Sequence, residues 1–110
     1  MNDFKKASAI AVSASDNHIY TITTGKTFQG KKVYASASGL MKAEVRVSPD
    51  GSTYSTIFVG FNSAADPNIP IDLDEMVFLE SGAGSTIEVI LTNLDKKAQD
   101  LYSTISGTEV

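Results

Sequence analysis

Cysteine and tryptophan are both absent from this 110-residue chain, and histidine occurs once, at His18. Without cysteine there is no thiolate nucleophile, no thiolate metal site and no disulfide staple, so the fold must be held by its core alone. No apolar run approaches the roughly 18 residues that a membrane helix needs. Basic residues are scarce: nine Lys and Arg stand against thirteen Asp and Glu, for a net charge of -4 and a pI near 4.7. Neither nucleic acid nor membrane is therefore an expected partner, because phosphate binding needs concentrated positive charge. The start, Met1 to Lys6, is basic, but Ala7–Ser13 is too polar and too short for a signal-peptide core, so a mature N-terminus is expected.

What is present is β-branched and hydroxyl-bearing. Val, Ile, Ser and Thr take the places that Leu, Glu and Lys would hold in a helical protein, and only Leu94–Leu101 carries any helical periodicity. The length suits one domain burying roughly 60–65% of its unfolded surface. Alternation and turn residues predict strands at Ser8–Ala14, His18–Thr23, Lys32–Ser38, Met41–Val47, Tyr54–Phe61, Glu75–Leu79, Thr86–Thr92 and Leu101–Ser106. About eight short strands at this spacing imply an all-β, antiparallel, jelly-roll-like sandwich. The expected division is an N-terminal arm at residues 1–7 and a single sandwich domain at 8–110.

Two stretches repeat one pattern. Glu44–Ser48 leads through Pro49-Asp50-Gly51 to Tyr54–Ile57, and Glu88–Thr92 leads through Asp95-Lys96-Lys97 to Tyr102–Ile105. Each reads as a β-hairpin with one buried face. In the first, Met41, Ala43, Val45 and Val47 share one side, and Ile57, Val59 and Phe61 share one side of the return strand. Ser48-Pro49-Asp50-Gly51 fits a type I turn followed by a left-handed glycine. Asn62–Asp74, with Pro67 and Pro70, reads as a crossover or an interaction loop, since two prolines remove two backbone donors. Charge is uneven along the chain, basic to residue 46 and acidic after it, which favours complementary patches between copies if it survives folding.

Chemistry-bearing constellations are sparse. Any Ser-His-Asp relay must use His18, which reads instead as a surface or turn histidine. Asp72, Asp74 and Glu75 are the most metal-like cluster but lack the turning glycines of a calcium loop. Gly82-Ala83-Gly84 lacks the lysine and helix of a phosphate loop. No catalytic, metal or cofactor residue is expected, and the aromatic residues read as core or sheet-face packing.

Val45–Tyr54, with its Ser-x-Asp-Gly-x-x-aromatic spacing, is similar to a hairpin of discoidin-type, carbohydrate-binding jelly rolls; a small carbohydrate-binding module is the alternative it implies. The whole chain resembles the small decoration, or cement, proteins of tailed-bacteriophage heads. That likeness lies in a short cysteine-free chain, strands rich in Ser, Thr, Ala and Gly, a hydrophilic N-terminal arm, and the closing Asn93-Leu94-Asp95 and Tyr102–Ile105. The resemblance implies a non-enzymatic virion protein, made in the host cytoplasm. It would be trimeric and would bind the major capsid protein at the capsid surface. Candidate partner-binding residues are Phe4, Lys5 and Lys6 on the arm, and Asn68, Ile69 and Ile71 in the proline loop, where proline lowers the entropy lost on docking.

Overall fold

The computed structural model describes residues 1–73 and 84–110 and the backbone of 78–80. Among these are nine strands: β1 (Asn2–Ile10), β2 (Ser15–Thr21), β3 (Thr27–Ala37), β4 (Met41–Ser48), β5 (Ser55–Phe61), β6 (Asn68–Asp72), β7 (Phe78–Glu80), β8 (Thr86–Asn93) and β9 (Gln99–Glu109). They form two antiparallel sheets. The first runs β1-β9-β3-β6, with β7 continuing along the same side of β3, and the second runs β2-β8-β4-β5. The chain changes sheet at nearly every connection, and this interleaving is the expected jelly-roll sandwich.

The core lies between the sheets. Val33, Ala35, Leu101 and Ile105 of the first sheet meet Met41, Ala43, Val45, Val89 and Leu91 of the second, all buried. Each large aliphatic side chain so buried contributes about 1.5–3 kcal/mol of transfer free energy. The β4–β5 hairpin forms as its alternation requires, with Gly51 at φ 82° closing the turn. Asp50 organises that turn: its Oδ1 accepts from the Thr53 and Ser52 amides and from the Ser48 hydroxyl. These donors hold its carboxyl well below the usual carboxylate range.

Four expectations need correction. Glu88–Ile105 is not a hairpin, because β8 belongs to one sheet and β9 to the other, and residues 94–98 carry the chain across the sandwich. The first strand is not Ser8–Ala14 but Asn2–Ile10, so residues 2–7 are no free arm; they pair with β9 from Asn2 opposite Ser106 to Ala7 opposite Leu101. Its inward positions Asp3 and Lys5 are charged, which hid the alternation; inward charges are a known protection for a sheet edge. The Asn62–Asp74 segment contains β6, in which Ile69 and Ile71 face the core while Pro70, on the open edge, gives up no ladder bond. Finally, β3 begins at Thr27 rather than Lys32. A bulge between Gly30 and Lys32 shifts the inward phase from Phe28 and Gly30 to Val33 and Ala35, breaking the periodicity. The Glu75–Leu79 strand falls largely outside the described residues.

Candidate binding surfaces

His18 is buried, contrary to the surface or turn position expected of it. It points between the sheets, where Nδ1 lies 2.7 Å from the Ser103 hydroxyl and Nε2 lies 2.9 Å from Asp3 Oδ2. The connectivity is that of a serine–histidine–aspartate relay. Ser103, however, is 2% exposed and covered by both sheets, so an external carbonyl has no approach to its oxygen. The trio acts as a clasp joining β1, β2 and β9. Beside it Lys5 Nζ donates to Asp16 Oδ1 at 3.0 Å and to the Asn17 carbonyl at 2.9 Å. Tyr20 donates to Glu109, which also accepts from the Thr23 amide. Burial, with Glu109 next to it, pushes the Tyr20 phenol up to about 12, and the same bond lowers Glu109.

Of the six candidate partner residues, three face outward on the first sheet and three do not. Lys5 is turned in toward Asp16, and Ile69 and Ile71 are core, so none of these three can anchor a partner. Phe4, Lys6 and Asn68 lie on the outer face. There the register sets Phe4, Thr104, Tyr34 and Pro70 in one row across β1, β9, β3 and β6. On one side runs the row Lys6, Tyr102, Ser36 and Asn68, and on the other Asn2, Ser106, Lys32 and Asp72. Phe4 is 63% exposed and Tyr34 47%. The Phe4 ring stacks on Tyr102 at 6.4 Å between centroids, and Lys6 and Lys32 stand 5.9 and 5.7 Å from the rings of Tyr102 and Tyr34. The sequence signal for this face was aromatic residues alternating with small or inward-facing ones in three separate strands; only the register brings them together.

The second sheet's outer face is different. At its open edge, Ile57, Val59 and Phe61 of β5 form an exposed apolar strip, while Phe58 turns in against the core. They share one side as expected, and it is the solvent side, because Phe58 lies opposite the inward Val45. Further in, Glu88 is buried on this face beneath Arg46, which also lies 4.0 Å over the Tyr54 ring; Asn17 donates to the same carboxylate at 2.9 Å. Arg46 and Lys6, from the basic part of the chain, pair with Glu88 and Asp100 from the acidic part. The charge imbalance of the sequence is thus partly neutralised within the fold.

At one end of the sandwich three carboxamides fix the loops. Asn62 receives the Met41 amide and donates to the carbonyls of Gly39 and Pro67. Gln99 receives the Gly39 amide and donates to Leu40 and to Asn93 Oδ1. Asn93 donates to Ile10 and Lys97 and receives the Asp95 amide. Over this network lies an open cleft of about 350 Å³ lined by Ser38, Leu40, Ser63, Pro67 and Asp95 among others. Among the described residues no three His, Asp or Glu side chains gather as metal ligands. The Asp72, Asp74 and Glu75 cluster lies partly outside those residues.

No family model and no curated protein matches the sequence. Among solved structures, PirA is similar over 96% of this chain and 93% of that one, with a TM-score of 0.55 and 6% identity. A CBM4 structure aligns over 97% of this chain and 71% of its own at a TM-score of 0.47 and 12% identity. A chain of infectious bursal disease virus, Gx strain, aligns at 0.31 and 12% identity; 96% of this chain corresponds to 32% of that one. At such identities the likeness to PirA is one of fold, and the two weaker alignments carry no further weight.

Proposed function

We propose that this chain is a non-enzymatic structural protein of the capsid-decoration class, acting by binding copies of itself and the major capsid protein of a virus head. The observation that supports this reading is the β5 edge. Among the described side chains, the other edges carry features that discourage pairing: β1 has inward Asp3 and Lys5, β6 has Pro70, and β2 has a polar run from Ser15 to His18 ahead of the exposed Ile19. β5 carries no charge and no proline, leaves one side of its backbone unpaired, and sets Ile57, Val59 and Phe61 in solvent at 38, 48 and 65% exposure. An edge so composed favours adding a strand or packing a flat apolar surface from another protein. In a closed homotrimer the strip of one copy would pack on its neighbour, since a head-to-tail contact must close to avoid fibres. The expected location is the virion surface, after synthesis in the host cytoplasm.

The test is attachment to capsids that lack the protein. Wild-type protein should co-sediment with them to saturation, and Phe61→Ser combined with Val59→Ser should not, while keeping the far-UV circular dichroism of the folded sandwich. Equal attachment by the double variant would remove β5 from the mechanism. No attachment by the wild-type protein would reject the decoration reading itself.

A further inference from the structure

We propose that the outer face of the first sheet is a binding platform for an extended β-1,4-linked polysaccharide lying across β1, β9 and β3. This is independent of the decoration role, which uses the opposite sheet and its β5 edge. Among the described residues the face carries aromatic rings and polar groups but no Leu, Ile, Val or Met, whereas the β5 strip sets three large apolar side chains in line, with Lys42 and Glu44 opposite Phe61 and Val59. A protein hot spot concentrates apolar packing inside a rim that excludes water. A sugar ring asks for something else: an aromatic face for its axial C–H groups and hydrogen-bond partners around its edge.

The spacing fits such a chain. Phe4 and Tyr34 are in one cross-strand row with Thr104 between them. Two steps of the strand spacing separate them by about 10 Å. A hexose unit is about as long as one strand spacing, and successive rings of a β-1,4-linked ribbon turn over, so every second ring presents the same face. Rings one and three therefore rest on Phe4 and Tyr34, while ring two lies over the Thr104 hydroxyl. Tyr102, 6.4 Å from Phe4 between ring centroids with the planes 29° apart, extends the aromatic surface beneath the first sugar ring. Lys6 and Asn68 on one flank and Lys32 on the other supply donors to ring hydroxyls; the ammonium of Lys32 already stands 5.7 Å from the Tyr34 centroid. Because these side chains sit on central and edge strands of a rigid sheet, little order has to be imposed on binding.

The test is amide chemical-shift titration of the intact protein with cellohexaose and chitohexaose, and with the corresponding disaccharides. At least one hexasaccharide should shift resonances on β1, β9 and β3 at sub-millimolar concentration, and its disaccharide, spanning one aromatic, should bind at least tenfold more weakly. Tyr34→Ala should weaken the hexasaccharide at least tenfold, whereas Phe61→Ser should not change it. Absence of shifts from both hexasaccharides at millimolar concentration, shifts confined to the loop cleft, or undiminished binding by Tyr34→Ala would each overturn the proposal. If Phe4→Ser instead lowers the oligomer mass and no glycan binds, the face is an interface between copies and the proposal fails, and the β5 reading is then decided separately by whether the Phe61→Ser, Val59→Ser variant also loses mass.

Discussion

Replacing Asn93 with alanine should cost this fold more than any other single polar deletion among the described residues. Asn93 is fully buried, and its carboxamide uses all four of its hydrogen-bonding positions: to the Ile10 carbonyl at 2.9 Å, the Lys97 carbonyl at 2.9 Å, the Asp95 amide at 2.8 Å and Gln99 Nε2 at 2.8 Å. A net contribution of roughly 0.5–1.5 kcal/mol per bond puts the total near 4 kcal/mol, and the partners left behind are themselves in or near the interior. The figure is a large fraction of a small domain's stability of about 5–15 kcal/mol. Urea unfolding, followed by tyrosine fluorescence and far-UV circular dichroism together, measures it through a lowered midpoint at unchanged slope. Gln99→Ala should lose less, and the double variant should fall short of the sum by about 1–2 kcal/mol because the two side chains share a bond. A loss below about 1 kcal/mol for Asn93→Ala would show that water replaces the network freely and that the loop end is not held as described.

Other perturbations follow from the same contacts. Val45→Asp places a carboxylate at a position with no exposure, and should cost at least about 3 kcal/mol or prevent folding in a thermal melt. Gly107→Ala sets a Cβ 2.5 Å from the Gln29 carbonyl and from the Phe28 ring; with a backbone atom in the way, the expected loss is about 2–3 kcal/mol by denaturant titration. The Tyr20 phenol is pushed up from 10.0 to about 12, so its stabilising share is present below pH 10 and disappears as pH rises through 12. Tyr20→Phe should remove that alkaline step and lower neutral-pH stability by about 1–2 kcal/mol. Asp50 titrates in the opposite sense: its carboxyl is held down by the turn amides, so its contribution is fully present above its ordinary value of 3.8 and is lost progressively as pH falls from there, and Asp50→Ala should flatten the acid limb of a melting-temperature profile.

How legible the fold was depended on whether each strand's inward positions were apolar. β4 and β8 alternate cleanly and were read to within a residue or two. β1 turns the half-exposed Asp3 and Lys5 toward His18 and Asp16, partners that no local window contains, and so it looked like a polar arm. β6 carries proline at its one outward central position, which a sequence window scores as a break although an open edge tolerates it. The bulge at Gly30–Lys32 inverted the phase of β3, and the apparent second hairpin failed because Asn93 and Gln99 bind the crossing loop instead of closing a turn. The candidate residues divided for the same reason: alternation around Phe4 and Asn68 places them outward only once the strands are known, and it sends Lys5, Ile69 and Ile71 inward. The aromatic row of Phe4 and Tyr34 depends on pairing 30 residues apart through a third strand 70 residues further on, so it was beyond the reach of sequence patterning.

The central claim, that β5 is an interface reserved for protein partners, is tested most directly by the mass of the protein in solution. Native mass spectrometry and sedimentation equilibrium at micromolar concentration and moderate salt should give three times the 11.7 kDa chain mass for the wild-type protein. The Phe61→Ser, Val59→Ser variant should give a single folded chain. A wild-type protein that stays monomeric, or a variant that retains the wild-type mass, would contradict the account.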